Sequence, residues 1–181
     1  MNLSQDLQEF LKYPALQKMD ATTGQPENEN LFDIVSQSVL VIFLTGLYEA
    51  TRTKENALVI QEQKTTKELL DKMFTNKAAV LIHITEFTKK DGNYINTKLD
   101  EVANGYLQVI QQSDYAAALQ KEKGLEDLLS SERHTILLFL PPGLKTGELF
   151  NHQTIDDNTN KMEGPVSTLM NKIGDAFSGD D

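Results

Sequence analysis

The residues of this chain best suited to acid–base or metal chemistry are three histidines, His83, His134 and His152. His83 and Glu86 stand at i and i+3 on a predicted helix, where both side chains could reach one metal ion. Their spacing is neither His-Glu-x-x-His nor the Glu-x-x-His of di-iron bundles, and a pair falls short of the ligands that zinc takes. The expectation is a structural or surface histidine. His134 follows Ser130-Ser131-Glu132-Arg133, but neighbours in sequence do not make a triad, because the fold must supply that geometry. This run reads as a solvated helix surface. Asp156, Asn158 and Asn160 alternate like the start of a calcium loop. Such a loop needs Gly at its sixth position and a bidentate Glu at its twelfth, and this chain has Lys161 and Ser167 there. Gly143-Leu144-Lys145-Thr146 carries a Lys-Thr pair without the upstream Gly of a phosphate loop. No residue is therefore assigned as catalytic, metal-binding or cofactor-binding. The pattern leans away from an enzyme without deciding the matter.

Composition narrows the rest. The 181 residues include 39% hydrophobic and 24% charged side chains, values of a folded globular chain with a core of its own. A formal net charge of -10 repels phosphate backbones and anionic lipid, so neither nucleic acid nor membrane is an expected partner. The short basic clusters Lys89-Lys90 and Lys121-Glu122-Lys123 do not offset it. Trp is absent and aromatics are sparse, which weakens any base-stacking role. With no Cys there are no disulfides, thiol nucleophiles or Cys-held metals. Met1 to Lys12 is polar and unlike a signal peptide, and the longest unbroken apolar run, Val39 to Leu44, is too short to span a bilayer. The expectation is a soluble, cytoplasmic protein.

The elements that would position any site are predicted to be helices. Ser4 can cap a first helix with Leu7, Phe10 and Leu11 on one face, ended by Pro14. Residues 20–30 read as a loop, and Asn30 as the cap of a long helix from Leu31 to about Arg52. The centre of that stretch, Val39–Leu44, is equally β-like in composition. Thr53 caps the next helix. Thr65-Thr66-Lys67-Glu68 fits a capping box, and Asn76 caps a helix that closes near Gly92. Ile95, Leu99, Val102, Ala103, Tyr106, Leu107 and Ile110 form one continuous apolar face. Ser113 caps a helix ending at Gly124, and Leu125, Leu128, Leu129 and Ile136 continue the pattern until Pro141-Pro142-Gly143 stops it.

Sliding the chain by 59 positions lays 39–81 on 98–140 without a gap. Leu40 meets Leu99, Gly46 meets Gly105, Ala57 meets Ala116, Gln61 meets Gln120, Leu69-Leu70 meets Leu128-Leu129, and Leu81 meets Leu140. The stretch 98–112 is amphipathic, so its copy at 39–53 is predicted helical too. Each glycine would sit mid-helix, at a cost of about 1 kcal/mol against Ala, and a close helix crossing is the simplest shared reason. The fold class expected is all-α: a helical bundle from two similar multi-helix units within residues 1–150.

The run Leu69-Leu70-Asp71-Lys72-Met73-Phe74, then Val80, Ile84, the turn at Gly92-Asn93, Leu99, Val102-Ala103 and Leu107, resembles the uncharacterised bacterial YidB-like family over roughly residues 31–140. The resemblance implies an all-helical domain of bacterial origin. It brings no activity, cofactor or site residue.

After a polar linker at 151–164, Pro165 suits the first turn of a C-terminal amphipathic helix over 165–178. Its stripe, Val166, Leu169, Ile173 and Phe177, is the candidate interaction surface, toward its own bundle, a second copy or another protein. Lys172 is its only basic residue, which disfavours a membrane surface. Three functions follow in order: a non-enzymatic helical module acting through protein contacts or self-assembly; a small-ligand binder or enzyme with a site assembled from distant residues; and, last, a helix-turn-helix DNA binder.

Overall fold

The computed structural model describes residues 2–150 apart from 21, 22, 24, 122, 123 and 145. The linker 151–164 and the segment 165–178, with Val166, Leu169, Ile173 and Phe177, lie outside the described residues, as do His152 and the calcium-loop-like run.

The chain is mostly helical, with an isolated antiparallel bridge between Met19 and Pro26 and no strand among the described residues. Its elements are α1 (Leu3–Leu11), α2 (Ile34–Ala50), α3 (Lys54–Gln61), α4 (Thr66–Met73), α5 (Lys77–Thr88), α6 (Gly92–Val109), α7 (Ser113–Leu119), α8 (Gly124–Phe139) and α9 (Thr146–Phe150). The β-like run Val39–Leu44 lies within α2 and is fully buried.

Burial in α2 is continuous from Val35 to Leu47. A helix that is apolar all round has no solvent face and must be enclosed by others. α6 and α8 flank it, and α1, α3, α4, α5 and α9 also touch it. α6 shows the opposite pattern, burying one stripe of Ile95, Leu99, Val102, Ala103 and Tyr106. Phe43 and Tyr106 join the two helices, with ring centroids 5.6 Å apart.

Helix starts follow local chemistry. Thr65 and Glu68 form the expected capping box, and the hydrogen bond from Thr65 holds the Glu68 carboxyl below its ordinary value. Thr53 and Asn76 cap as their residue types suggest. Five starts differ from expectation. Asn2, not Ser4, caps α1. Asp33, not Asn30, caps α2, because residues 29–31 form a 3-10 turn first. Gln112 precedes α7 with no side-chain cap bond, so Ser113 lies inside the helix. Gly92 and Gly124 open helices rather than close them, since Asp91 accepts the first amides of α6 and α7 already stops at Leu119.

Buried polar groups hold the N-terminal segment. Gln37 of α2 accepts the Gln17 amide through Oε1 at 2.8 Å and donates through Nε2 to the carbonyls of Gln17 and Phe139 at 2.8 and 2.7 Å. One side chain thus satisfies three main-chain groups from two distant segments. The Met19 amide adds a bond to the Leu138 carbonyl at 3.2 Å.

The shift of 59 maps the end of α2 (Ala50) onto the end of α6 (Val109), and α3 onto 113–120 against an observed Ser113–Leu119. Beyond that the halves diverge. α4 and α5 are broken at 74–76, whereas α8 runs unbroken through 133–135. The two glycines sit at close approaches to different partners. A methyl on Gly46 would lie 2.3 Å from the Phe74 ring, and one on Gly105 would lie 3.0 Å from Leu11 of α1.

Three stability predictions result. Gly46→Ala should destabilise by about 1–2 kcal/mol, because overpacking against the buried Phe74 ring outweighs the helix-propensity gain. Gly105→Ala should stay within about 0.5 kcal/mol of wild type, since the half-buried Leu11 can give way while propensity improves. Gln37→Leu should cost about 3 kcal/mol by stranding buried main-chain groups. Urea unfolding midpoints at constant m-value check all three.

Candidate functional site

The chemistry-bearing residues disperse on folding. His83 is half-buried on α5, and its Nε2 lies 2.9 Å from the Leu144 carbonyl, so it fastens the segment after α8. Glu86 is exposed one turn further on. Arg133 and His134 are exposed on α8, as expected of a solvated face. No three His, Asp or Glu side chains converge as a metal set among the described residues. Gly143 is exposed in a 3-10 turn, while Thr146 is fully buried at the start of α9, so this run does not present a phosphate cradle.

Glu132 overturns part of that expectation. It belongs to the run read as solvent-facing, yet it is only 3% exposed. Its Oε1 accepts the Leu3 amide and its Oε2 the Ser4 hydroxyl, each at 2.9 Å. The carboxylate sits where the free amides and positive end of α1 offset its desolvation. Sequence spacing could not reveal this, because the partners are about 130 positions away. On the same side of α1, Tyr115 donates to Asp6. Burial, then the Asp6 bond and the charges of Asp6 and Glu132, push the Tyr115 phenol above its ordinary value. Burial alone does so for Tyr106, and burial with Glu101 does so for Tyr13. Glu132, Tyr115 and Tyr13 each fasten separate segments through these bonds, whereas the buried Tyr106 hydroxyl has no partner among the described residues.

A concave feature among the described residues lies where α2 emerges from the core. A groove of about 690 Å³ opens between the end of α2, α3, the α4–α5 turn and α9. Val59 and Ile60 of α3, Met73 of α4, Phe74, Val80 of α5 and Phe150 of α9 line it. Glu49, Asn56, Lys72 and Asn76 line it as well. Val59 is 41% exposed, so an apolar wall meets solvent, and the adjoining Leu58 is 50% exposed. Phe74 is set by Gly46, whose missing side chain admits its ring, and it packs on Phe150 with ring centroids 6.0 Å apart. Glu49 is engaged with Arg52 at 3.3 Å. The groove lining therefore mixes apolar side chains with polar and charged ones. Sequence reasoning missed it, because its residues come from five elements.

No helix among the described residues is long and apolar enough to cross a membrane. Comparison with known proteins finds no matching family model, no matching curated protein and no matching solved structure.

The phenols supply a titration test. A phenol whose folded value is raised above the ordinary ~10 contributes stability fully present below pH 10 and lost as pH climbs toward the folded value. Tyr13, Tyr106 and Tyr115 should therefore show no phenolate absorbance at 295 nm until well above pH 10, and their ionisation should accompany unfolding. Asp6→Asn should advance the Tyr115 step toward lower pH, with burial still keeping it above the ordinary value.

Proposed function

We propose that this protein is a non-enzymatic helical module acting through protein–protein contacts, and that the groove between α3, the α4–α5 turn and α9 is its contact surface. The observation that carries this is an exposed apolar side chain at Val59 in a groove also lined by Ile60, Met73, Phe74, Val80 and Phe150, with Glu49, Asn56, Lys72 and Asn76 among them. A short amphipathic helix fits such a surface: its apolar stripe replaces water along the walls while its polar face stays outside. Duplication belongs to the same proposal. The shared ends of α2 with α6 and α3 with α7 support two units from one ancestor, in which the break at 74–76 distinguishes the first unit and creates the groove. The YidB-like resemblance stands beside this as a proposal resting on hydrophobic spacing.

A second reading draws on the volume, since about 690 Å³ also lies in the range of small-ligand sites. One titration separates the two. The isotope-labelled full chain is titrated with amphipathic helical peptides carrying apolar residues at i, i+3, i+7 and i+11, with scrambled controls, and with small apolar molecules. The expected result is amide shifts clustered at residues 56–60, 72–80 and 149–150, with a Kd on the order of 10–100 μM for striped peptides only. Val59→Asp should weaken binding at least tenfold, an expectation of about 1.4 kcal/mol or more. Shifts there with small molecules but with no peptide would transfer the surface to the ligand-binding alternative.

A further inference from the structure

Resting on that groove, we infer that its resident occupant is this chain's own C-terminal segment, docked in cis with Ile173 and Phe177 as anchors. The tail then covers the surface a partner helix would use, and partner binding competes with tail docking.

The described chain ends at Phe150, which itself lines the groove and packs on Phe74. The remaining 31 residues (181 minus 150) therefore leave from the groove's own edge. Residues 151–164 are polar and are followed by Pro165 and the stripe Val166, Leu169, Ile173 and Phe177. At 100° per residue these four fall on one side of a helix, with Met170 beside them, while Ser167, Asn171, Lys172 and Asp175 fall on the other. That division offers one apolar stripe to the apolar residues lining the groove.

A relaxed linker of 14 residues spans about 20 Å, and a fully extended one about 46–50 Å. A helix over 165–178 is about 21 Å long, so the stripe can fold back onto a groove beside its own starting point. Short tethering gives an effective concentration on the order of 1 mM, far above that of a free partner. An isolated helix of this length is marginal in water, so docking and helix formation are coupled. A partner must displace the tail, and its apparent affinity falls by the fraction of time the groove is open.

The test uses the full chain, and the absence of native cysteine makes a single engineered thiol unique. A nitroxide is attached through Asn56→Cys at the exposed groove rim. The expected result, at micromolar concentration, is strong broadening of the amides of 166–177, removed by Ile173→Ser/Phe177→Ser. That double variant should also bind the striped peptide about tenfold tighter than wild type, because the competing tail is released. Broadening no greater than that of residues 155–160 would overturn the inference. So would broadening seen only when label and isotope are on different chains, which would seat the tail in a second copy. Equal peptide affinity for wild type and double variant would sink tail docking while leaving the groove as a binding surface. Failure of the peptide to bind either form would remove the groove as well.

Discussion

The structure depends on the burial of α2. From Val35 to Leu47 no side of this helix meets water, so every neighbour is obliged to present apolar surface to it. That obligation explains the stripe of α6, the packing of Tyr106 on Phe43, and the approach of helices from both halves of the chain. It also governs the polar residues inside α2. Thr45 returns its hydroxyl to the Val41 carbonyl at 2.7 Å, and Gln37 spends its amide on three main-chain groups. A buried polar atom without a partner is costly, so Thr45 is satisfied locally and Gln37 becomes a tie to another segment, whereas the buried Ser38 hydroxyl has no partner among the described residues.

Those ties do the work that disulfides would do in a chain with cysteine. Gln37 clamps residue 17 beside the end of α8, and Glu132 of α8 receives the first amide of α1. Both join the N-terminal segment to α8 across more than a hundred positions of sequence. A carboxylate as buried as Glu132 is tolerated because the helix start supplies donors and positive potential where the negative charge sits. Surface ion pairs such as Lys77–Asp100 at 3.2 Å, open to solvent and salt, add little beside this.

The groove is a consequence of the same core. Burial of α2 ends at Leu47, and its last turn, Tyr48 to Ala50, is only partly covered. Gly46, just before that boundary, lets the Phe74 ring pass where any side chain would block it. Phe74 in turn fixes the break between α4 and α5 and reaches Phe150. A single absent methyl in the buried helix thus positions a wall of the surface that faces solvent, linking the packing of the core to the shape of the site.

How much of this was legible in the sequence depends on the range of the interaction. Apolar periodicity determined the all-helical class, since which side chains share a helix face follows from 3.6 residues per turn alone. Caps built within one turn, at Thr53, Thr65 with Glu68, and Asn76, were equally legible because donor and acceptor lie two or three positions apart. Legibility failed where two local solutions competed, as with Asn2 against Ser4 or Asp33 against Asn30, where a 3-10 turn at 29–31 precedes the helix. Ser4 was drawn away from capping by Glu132, which lies 128 positions distant. The burial of Glu132, the clamp at Gln37, the fastening of His83 to Leu144 and the groove itself were decided only by tertiary structure. Each joins residues from separate elements, and the geometry that brings such residues together exists only once the helices have packed around α2.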